Sequence, residues 1–334
     1  MTRNQDRSTS DLRMTAASAH EQVAGAAREL MPVAPYARPE LADPESSGPP
    51  GLDVSAPDHE MWGRITTSKP LMAGGILVVL VVLTALFAPL LAPHDPYVQI
   101  LPDRLVGPGS PGHLLGTDQF GRDLLSRLIY GTRVSLQAGV VAVAIGAGVG
   151  LVLGLLAGYL GGWVDMLIGR LFDIILSFPT ILLALAIIAI LGPSLINVII
   201  AIGITTVPNY GRVLRGSMIA VRKREFMQAS EAFGASSLYV LTRHALPNVL
   251  PPLIVVSSQG IATAILVEAT LSFLGLGVPP PTATWGSIIN DGKQYLDIAP
   301  WISSLAGVAI VIAVLGFSLL GDGLRDVLDP RLHK

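Results

Sequence analysis

Cysteine is absent from this 334-residue chain, which removes disulfides, thiol nucleophiles and cysteine metal sites from consideration. Charge is scarce too. Asp, Glu, Lys and Arg make up only 14% of the residues, against roughly a quarter in a soluble domain. With 51% hydrophobic residues and a mean hydropathy of +0.59, the deficit points to lipid as solvent. A formal net charge of −2 gives no electrostatic case for a nucleic-acid partner. No G-x-x-x-x-G-K followed by Ser or Thr occurs, so the chain has no P-loop to cradle nucleotide phosphates. The six histidines are scattered and lack H-E-x-x-H spacing. They read as ordinary surface or interface side chains, and no metal site is expected.

Residues 1–62 differ in composition from the rest. Asp11–Leu30 is Ala-rich, and Met31–Pro57 holds seven prolines among Gly, Asp and Ser. Such a stretch cannot bury enough apolar surface to offset its ordering entropy, so a disordered, flexible tail is expected. It has no apolar core ahead of a small-residue cleavage site, so it does not read as a signal peptide.

Residues 63–334 read as an all-α integral membrane domain. A hydrocarbon core of about 30 Å needs about 20 apolar helical residues. Six spans are expected, at about 71–92, 134–160, 174–191, 195–211, 245–267 and 298–321. The third and fourth come from one uncharged run, split at Gly192-Pro193-Ser194 because Pro removes a donor and Ser can cap the next helix. An even number of spans puts both ends on one side. Twelve Lys and Arg then collect on that side and five on the other, which makes the richer side cytoplasmic. The poorer side carries an outer segment, 93–132, and a second loop where Trp285 reads as a membrane-interface anchor.

Small residues recur every fourth position through Ala138, Ala142, Gly146, Gly150, Gly154, Gly158 and Gly162. Such a ridge lets another helix backbone come close, as a static packing seam or one that slides. Ionisable groups are nearly missing from the span interiors. Glu268, near the outer end of the fifth span, is the candidate pathway residue. Three readings stand for it: an ion pair with an outer-segment Arg, contact with a passing amino group, or a solvated rim position.

Between Arg212 and Arg243 runs a charged loop of 32 residues. Phe226, Ala229, Ser230 and Phe233 follow i, i+3, i+4, i+7 and form one mildly apolar stripe. Arg222, Lys223 and Arg224 precede it, and Gly234 stands where a helix commonly ends in the left-handed conformation. Two readings fit: an interfacial helix on anionic lipid, or a docking helix for a cytoplasmic protein.

This loop resembles the EAA signature of permease subunits of bacterial ABC importers. Gln228-Ala229-Ser230 fills the E-A-A positions, Gly234 is the glycine, and His244-Ala245-Leu246-Pro247 stands for I-x-L-P. Gln, Ser and His depart from the pattern, but the spacing is kept. Gly116-Thr117-Asp118-Gln119-Phe120-Gly121-Arg122-Asp123, Ser126-Arg127 and Gly131-Thr132-Arg133 resemble the second permease of dipeptide, oligopeptide and nickel importers. Leu271–Gly277, Pro280-Pro281 with Trp285-Gly286, Asp322–Asp326 and Asp329-Pro330-Arg331 are similar to the same subfamily.

The resemblance covers roughly residues 65 to 334. It implies a type I ABC importer permease fold in the bacterial inner membrane, with both termini cytoplasmic. It implies ATP-driven uptake of peptides, without enzymatic activity in this chain. The implied partners are a homologous second permease, one or two ATPase chains that bind ATP and Mg, and an extracytoplasmic substrate-binding protein. ATPase coupling would fall to residues 222–236: Arg222, Lys223, Arg224, Phe226, Gln228, Ala229, Ser230, Phe233 and Gly234. In the outer segment, Asp118, Arg122, Asp123 and Arg127 are read as local ion pairs or as a contact for the binding protein. The alternative is an ion-coupled secondary transporter, which would need inverted repeats and several intramembrane charges.

Deleting Met1–Pro57 is expected to leave assembly and transport largely intact. Co-purification of the permease with its partners checks this; failure of the truncated chain to assemble would make the tail a docking element.

Overall fold

The computed structural model describes residues 68–328. The tail expected over residues 1–62 and the Asp329-Pro330-Arg331 ending lie outside the described residues.

The regular elements of the described residues are helices. Lys69–Leu86 forms α1 and Ala88–Leu91 a short α2. Leu124–Leu160 is α3, Gly162–Leu176 is α4 and Thr180–Leu191 is α5. Leu195–Arg222 is α6, Glu225–Ala232 is α7 and Ser237–Tyr239 is α8. A π-helical turn, Val240–Ala245, leads from α8 into α9, Leu246–Phe273. Trp285–Gly292 is α10 and Trp301–Leu328 is α11. By length and composition four helical stretches can cross a membrane, or five when the bent pair α4–α5 counts as one.

Several boundaries differ from the sequence expectation, each for a local reason. α3 starts ten residues before the expected 134, because the Asp123 carboxylate caps it by accepting from the Ser126 N–H at 2.8 Å. Arg127 and Arg133 therefore lie inside a helix that an uncharged-run criterion had cut short. The expected third span, 174–191, takes in only the end of α4 before the break at Ser177-Phe178-Pro179, where α4 and α5 meet at 87°. α6 continues eleven residues past the expected 211, to Arg222. Its start is capped by the Ser194 hydroxyl, which accepts from Asn197 N–H at 3.1 Å.

The packing centres on α3 and α6, which make the most extensive helix contact in the chain. A Cβ on Gly150 would stand 2.9 Å from the Gly211 nitrogen, and one on Gly154 would stand 2.6 Å from the Gly211 oxygen. On Gly158 it would stand 2.7 Å from Met218 Cβ. The ridge is thus a backbone-to-backbone seam. It ends at Gly158: Gly161 and Gly162 take φ of 66° and 54°, break the helix, and face open space. One buried cluster joins α3, α5, α6 and α9, and a second joins α1, α3, α9, α10 and α11.

Gly154→Ala is expected to destabilise the protein by about 1–3 kcal/mol, because the added methyl separates α3 from α6. Gly148→Ala, on the same helix with nothing within 4 Å of its Cβ position, should be neutral or slightly stabilising. Thermal unfolding of the two detergent-solubilised variants checks the contrast.

Candidate functional site

α7 is eight residues long, and its geometry follows from its ends. Arg224 is its extended N-cap and Gly234 takes φ 79° just past its last turn. The Ala235 N–H donates to Ser230 O at 3.1 Å and the Gly234 N–H to Glu231 O at 3.0 Å. These two bonds make a Schellman stop, which needs the left-handed residue that glycine supplies. Ser236 then caps α8 through the Tyr239 N–H at 3.4 Å.

One side chain of α7 anchors it: Met227, fully buried in the cluster around α3, α6 and α9. The stripe noted in the sequence faces elsewhere. Phe233 is 91% exposed and Phe226 is 38% exposed, with its ring 6.2 Å from that of His244. Gln228, Ala229 and Glu231 are exposed as well. α7 therefore presents an outward face carrying two phenylalanines and is held to the bundle by a methionine on its other side.

The basic residues are distributed differently from the expected loop. Arg212 and Arg215 lie within α6 and pair with α4: Arg212 Nη2 to Asp173 at 2.6 Å, and Arg215 Nη2 to Asp165 at 2.6 Å. Arg222 is the last residue of α6, donates to Tyr159 O at 2.6 Å and lies over the Tyr159 ring. It fastens the end of α6 to the end of α3. Lys223 and Arg224 remain exposed at the α6–α7 junction. The loop is shorter than the sequence suggested because α6 absorbs its first eleven residues.

At the other end of the bundle, Asp118, Arg122, Asp123 and Arg127 are all at most 4% exposed. Arg122 Nε donates to Asp118 Oδ2 at 2.6 Å, and Arg127 Nε lies 3.3 Å from the same oxygen. Both guanidiniums also face Asp291 of α10, at 3.4 and 3.7 Å. Of the two readings, burial favours local pairing over an exposed face: Asp118 pairs with Arg122 and Arg127, while Asp123 faces His113 and His94. Asp291 was missed because it lies 169 positions from Arg122 and carries no local signal.

Asp123 belongs to a second cluster. Burial would raise its carboxyl, but hydrogen bonds from His113, the Ser126 hydroxyl and the Ser126 N–H, with the nearby His94, hold it below the usual range. His94 and His113 thus meet at one carboxylate, against the expectation of scattered histidines.

Glu268 is fully buried. It accepts from the Ser135 hydroxyl at 2.9 Å and the Ser272 hydroxyl at 2.7 Å. Its closest partners are hydroxyls of α3 and α9; of the three readings, the ion pair with an outer-segment Arg is not formed among the described residues, and full burial is at odds with a solvated rim. Ser135 also accepts from the Trp285 N–H at 3.5 Å, so Glu268 sits where α3, α9 and α10 join. Trp285 itself is 1% exposed, with its indole N–H donating to Leu128 O at 3.2 Å. It is a core side chain, which corrects its reading as an interface anchor.

Residues 150–334 match the family described as binding-protein-dependent transport system inner membrane component. The chain belongs to this family of transport permeases. Residues 58–108 match the N-terminal transmembrane domain of oligopeptide transport permease C. The dipeptide transport system permease protein DppC of Alkalihalophilus pseudofirmus is 46% identical over 301 residues, covering 89% of this chain and 98% of that protein. The di/tripeptide permease DppC of Pseudomonas aeruginosa is 44% identical, over 85% of this chain and 95% of its own. The glutathione transport system permease GsiD of Escherichia coli is 42% identical, over 84% and 92%. Among solved structures, a chain of the inward-facing MetNI methionine ABC transporter superposes with a TM-score of 0.51 at 22% identity. It covers 61% of this permease and 97% of that chain. The fold is that of a type I importer permease.

Asp118→Ala should cost about 3–5 kcal/mol, because it leaves two buried guanidiniums sharing Asp291 alone. Asp95→Ala, on the exposed part of the same segment, should stay within about 0.5 kcal/mol. Unfolding of the purified permease separates these outcomes, and equal stability of the two variants would remove the ion network from its structural role.

Proposed function

We propose that the chain is one permease of an ATP-driven peptide importer and that α7 is its contact with the ATPase. The observation that carries this reading is the outward face of α7, with Phe226 and Phe233 exposed beside Gln228 and Ala229 while Met227 locks the helix to the bundle. A short rigid helix, anchored on one side and apolar on the other, can transmit a partner's displacement as a rigid body. The displacement enters α6 directly at Arg222, and the Arg222–Tyr159 contact and the glycine seam join it to α3.

On this reading six spans cross the membrane, with α4–α5 as one broken span and α6 as another. Both termini and α7 lie in the cytoplasm of a bacterial cell, with the membrane as the inner membrane. The exposed apolar side chains of α1, α4 and α5 meet lipid and a homologous second permease. One or two ATPase chains bind ATP and Mg, and a separate binding protein delivers the substrate. Peptides are the substrate class, as the names of the dipeptide, di/tripeptide and glutathione relatives suggest. Coupling falls to Lys223, Arg224, Phe226, Gln228, Ala229, Ser230, Phe233 and Gly234, with Arg222 positioning them.

Gly234→Leu tests the coupling. Nothing lies within 4 Å of the Gly234 Cβ position, so the cost is confined to the left-handed backbone, about 1 kcal/mol, with re-aiming of α7. The variant should insert and assemble, and in reconstituted vesicles hydrolyse ATP without matching peptide uptake. Full ATP-dependent uptake by this variant would exclude α7 as the coupling element.

A further inference from the structure

Three side chains that are distant in sequence meet where the segment after α2 passes the start of α3. They are His94, His113 and Asp123, and one ligand atom of each lies within 4.8 Å of the others. His113 Nδ1 is 2.9 Å from Asp123 Oδ1, and His94 Nδ1 is 3.7 Å from the same oxygen. A tetrahedral centre with bonds of about 2.0–2.1 Å spaces its ligand atoms about 3.3–3.4 Å apart. The two observed separations fall on either side of that value.

The groups behind these atoms are arranged to orient them. Asp123 Oδ2 is taken by the Ser126 hydroxyl at 2.7 Å and the Ser126 N–H at 2.8 Å, which leaves Oδ1 turned to the two imidazoles. The His94 backbone N–H donates to the Ser126 hydroxyl at 3.1 Å and fixes that residue on the same anchor. The second nitrogen of His113, Nε2, lies 4.0 Å from Asp103 Oδ2. That separation is beyond a hydrogen bond, so Asp103 stands near the ring without fixing its tautomer. His113 and Asp123 are buried, while the His94 side chain is 43% exposed and lines a surface cleft of about 320 Å³.

We infer that His94, His113 and Asp123 bind a divalent transition-metal ion of the zinc type. The donor set of two imidazole nitrogens and one carboxylate oxygen suits Zn²⁺ and its neighbours and is poorly matched to Ca²⁺ or Mg²⁺, which take oxygen ligands. His94 follows the end of α2, and Asp123 caps α3. A shared ion therefore clips the two ends of the 92–123 segment together beside the buried Arg122–Asp118 pair. Binding replaces the His113–Asp123 hydrogen bond: the ion takes the Nδ1 lone pair and the ring proton moves to Nε2, on the side of Asp103. A fourth position is left for water.

The test uses the full chain in its assembled detergent-solubilised complex, purified through a tag without histidine and stripped with chelator. Titration with Co²⁺ should give one equivalent of tetrahedral visible absorption bands per permease chain, displaced by one equivalent of Zn²⁺. His94→Gln and His113→Gln should each weaken binding at least tenfold. His94 is exposed enough that its variant is expected to assemble, which keeps the test valid if the His113 variant does not fold. His244→Gln, in the turn that leads into α9, should bind as the unaltered chain does. Absence of a stoichiometric Co²⁺ signal overturns the site, and so does a signal that survives His94→Gln unchanged.

Discussion

The glycine seam between α3 and α6 is the constraint from which the rest of the molecule follows. Side chains there are reduced to hydrogen at Gly146, Gly150, Gly154 and Gly158, so the two backbones approach within contact distance along about three turns of α3. In lipid there is no hydrophobic drive to bring helices together, and close van der Waals packing takes its place. The register of that packing puts the end of α6 beside the end of α3. Arg222 reaches Tyr159 O only because of it. The direction in which α7 leaves the bundle is set there too.

The two ends of the bundle are built on different physics. At the α7 end, exposed groups are displayed on a short helix with few tethers, one of them the fully buried Met227. At the other end, charge is internalised. Buried Asp118, Arg122 and Arg127 and the partly exposed Asp291 neutralise one another, and Glu268 is held by hydroxyls. Buried charge is costly unless each group finds its partners. That makes this end a rigid cap over α3, α9 and α10, in contrast to the α7 end, where a short helix displays its side chains outward.

Much was legible in the sequence where the signal was local. The Ala and Gly repeat marked the seam, and Ser194 and Gly234 marked a helix start and a helix stop through their own backbone chemistry. The two helix boundaries that differ most share one cause. Treating charge as a marker of loops cut α3 short at 134 and α6 short at 211, because Arg127, Arg212 and Arg215 sit in helices with carboxylates from elsewhere. Trp285 was placed at the membrane interface since nothing beside it reveals the Leu128 carbonyl that receives its indole.

The sequence by itself determined the solvent, the helical class and the small-residue face, because hydropathy and periodicity are sums over neighbouring residues. Which charges are buried, which histidines share Asp123, and which side of α7 faces outward were decided only by tertiary structure. Each depends on a partner far along the chain, as Asp291 is to Arg122 and Ser135 to Glu268. Only the packed helices set those distances.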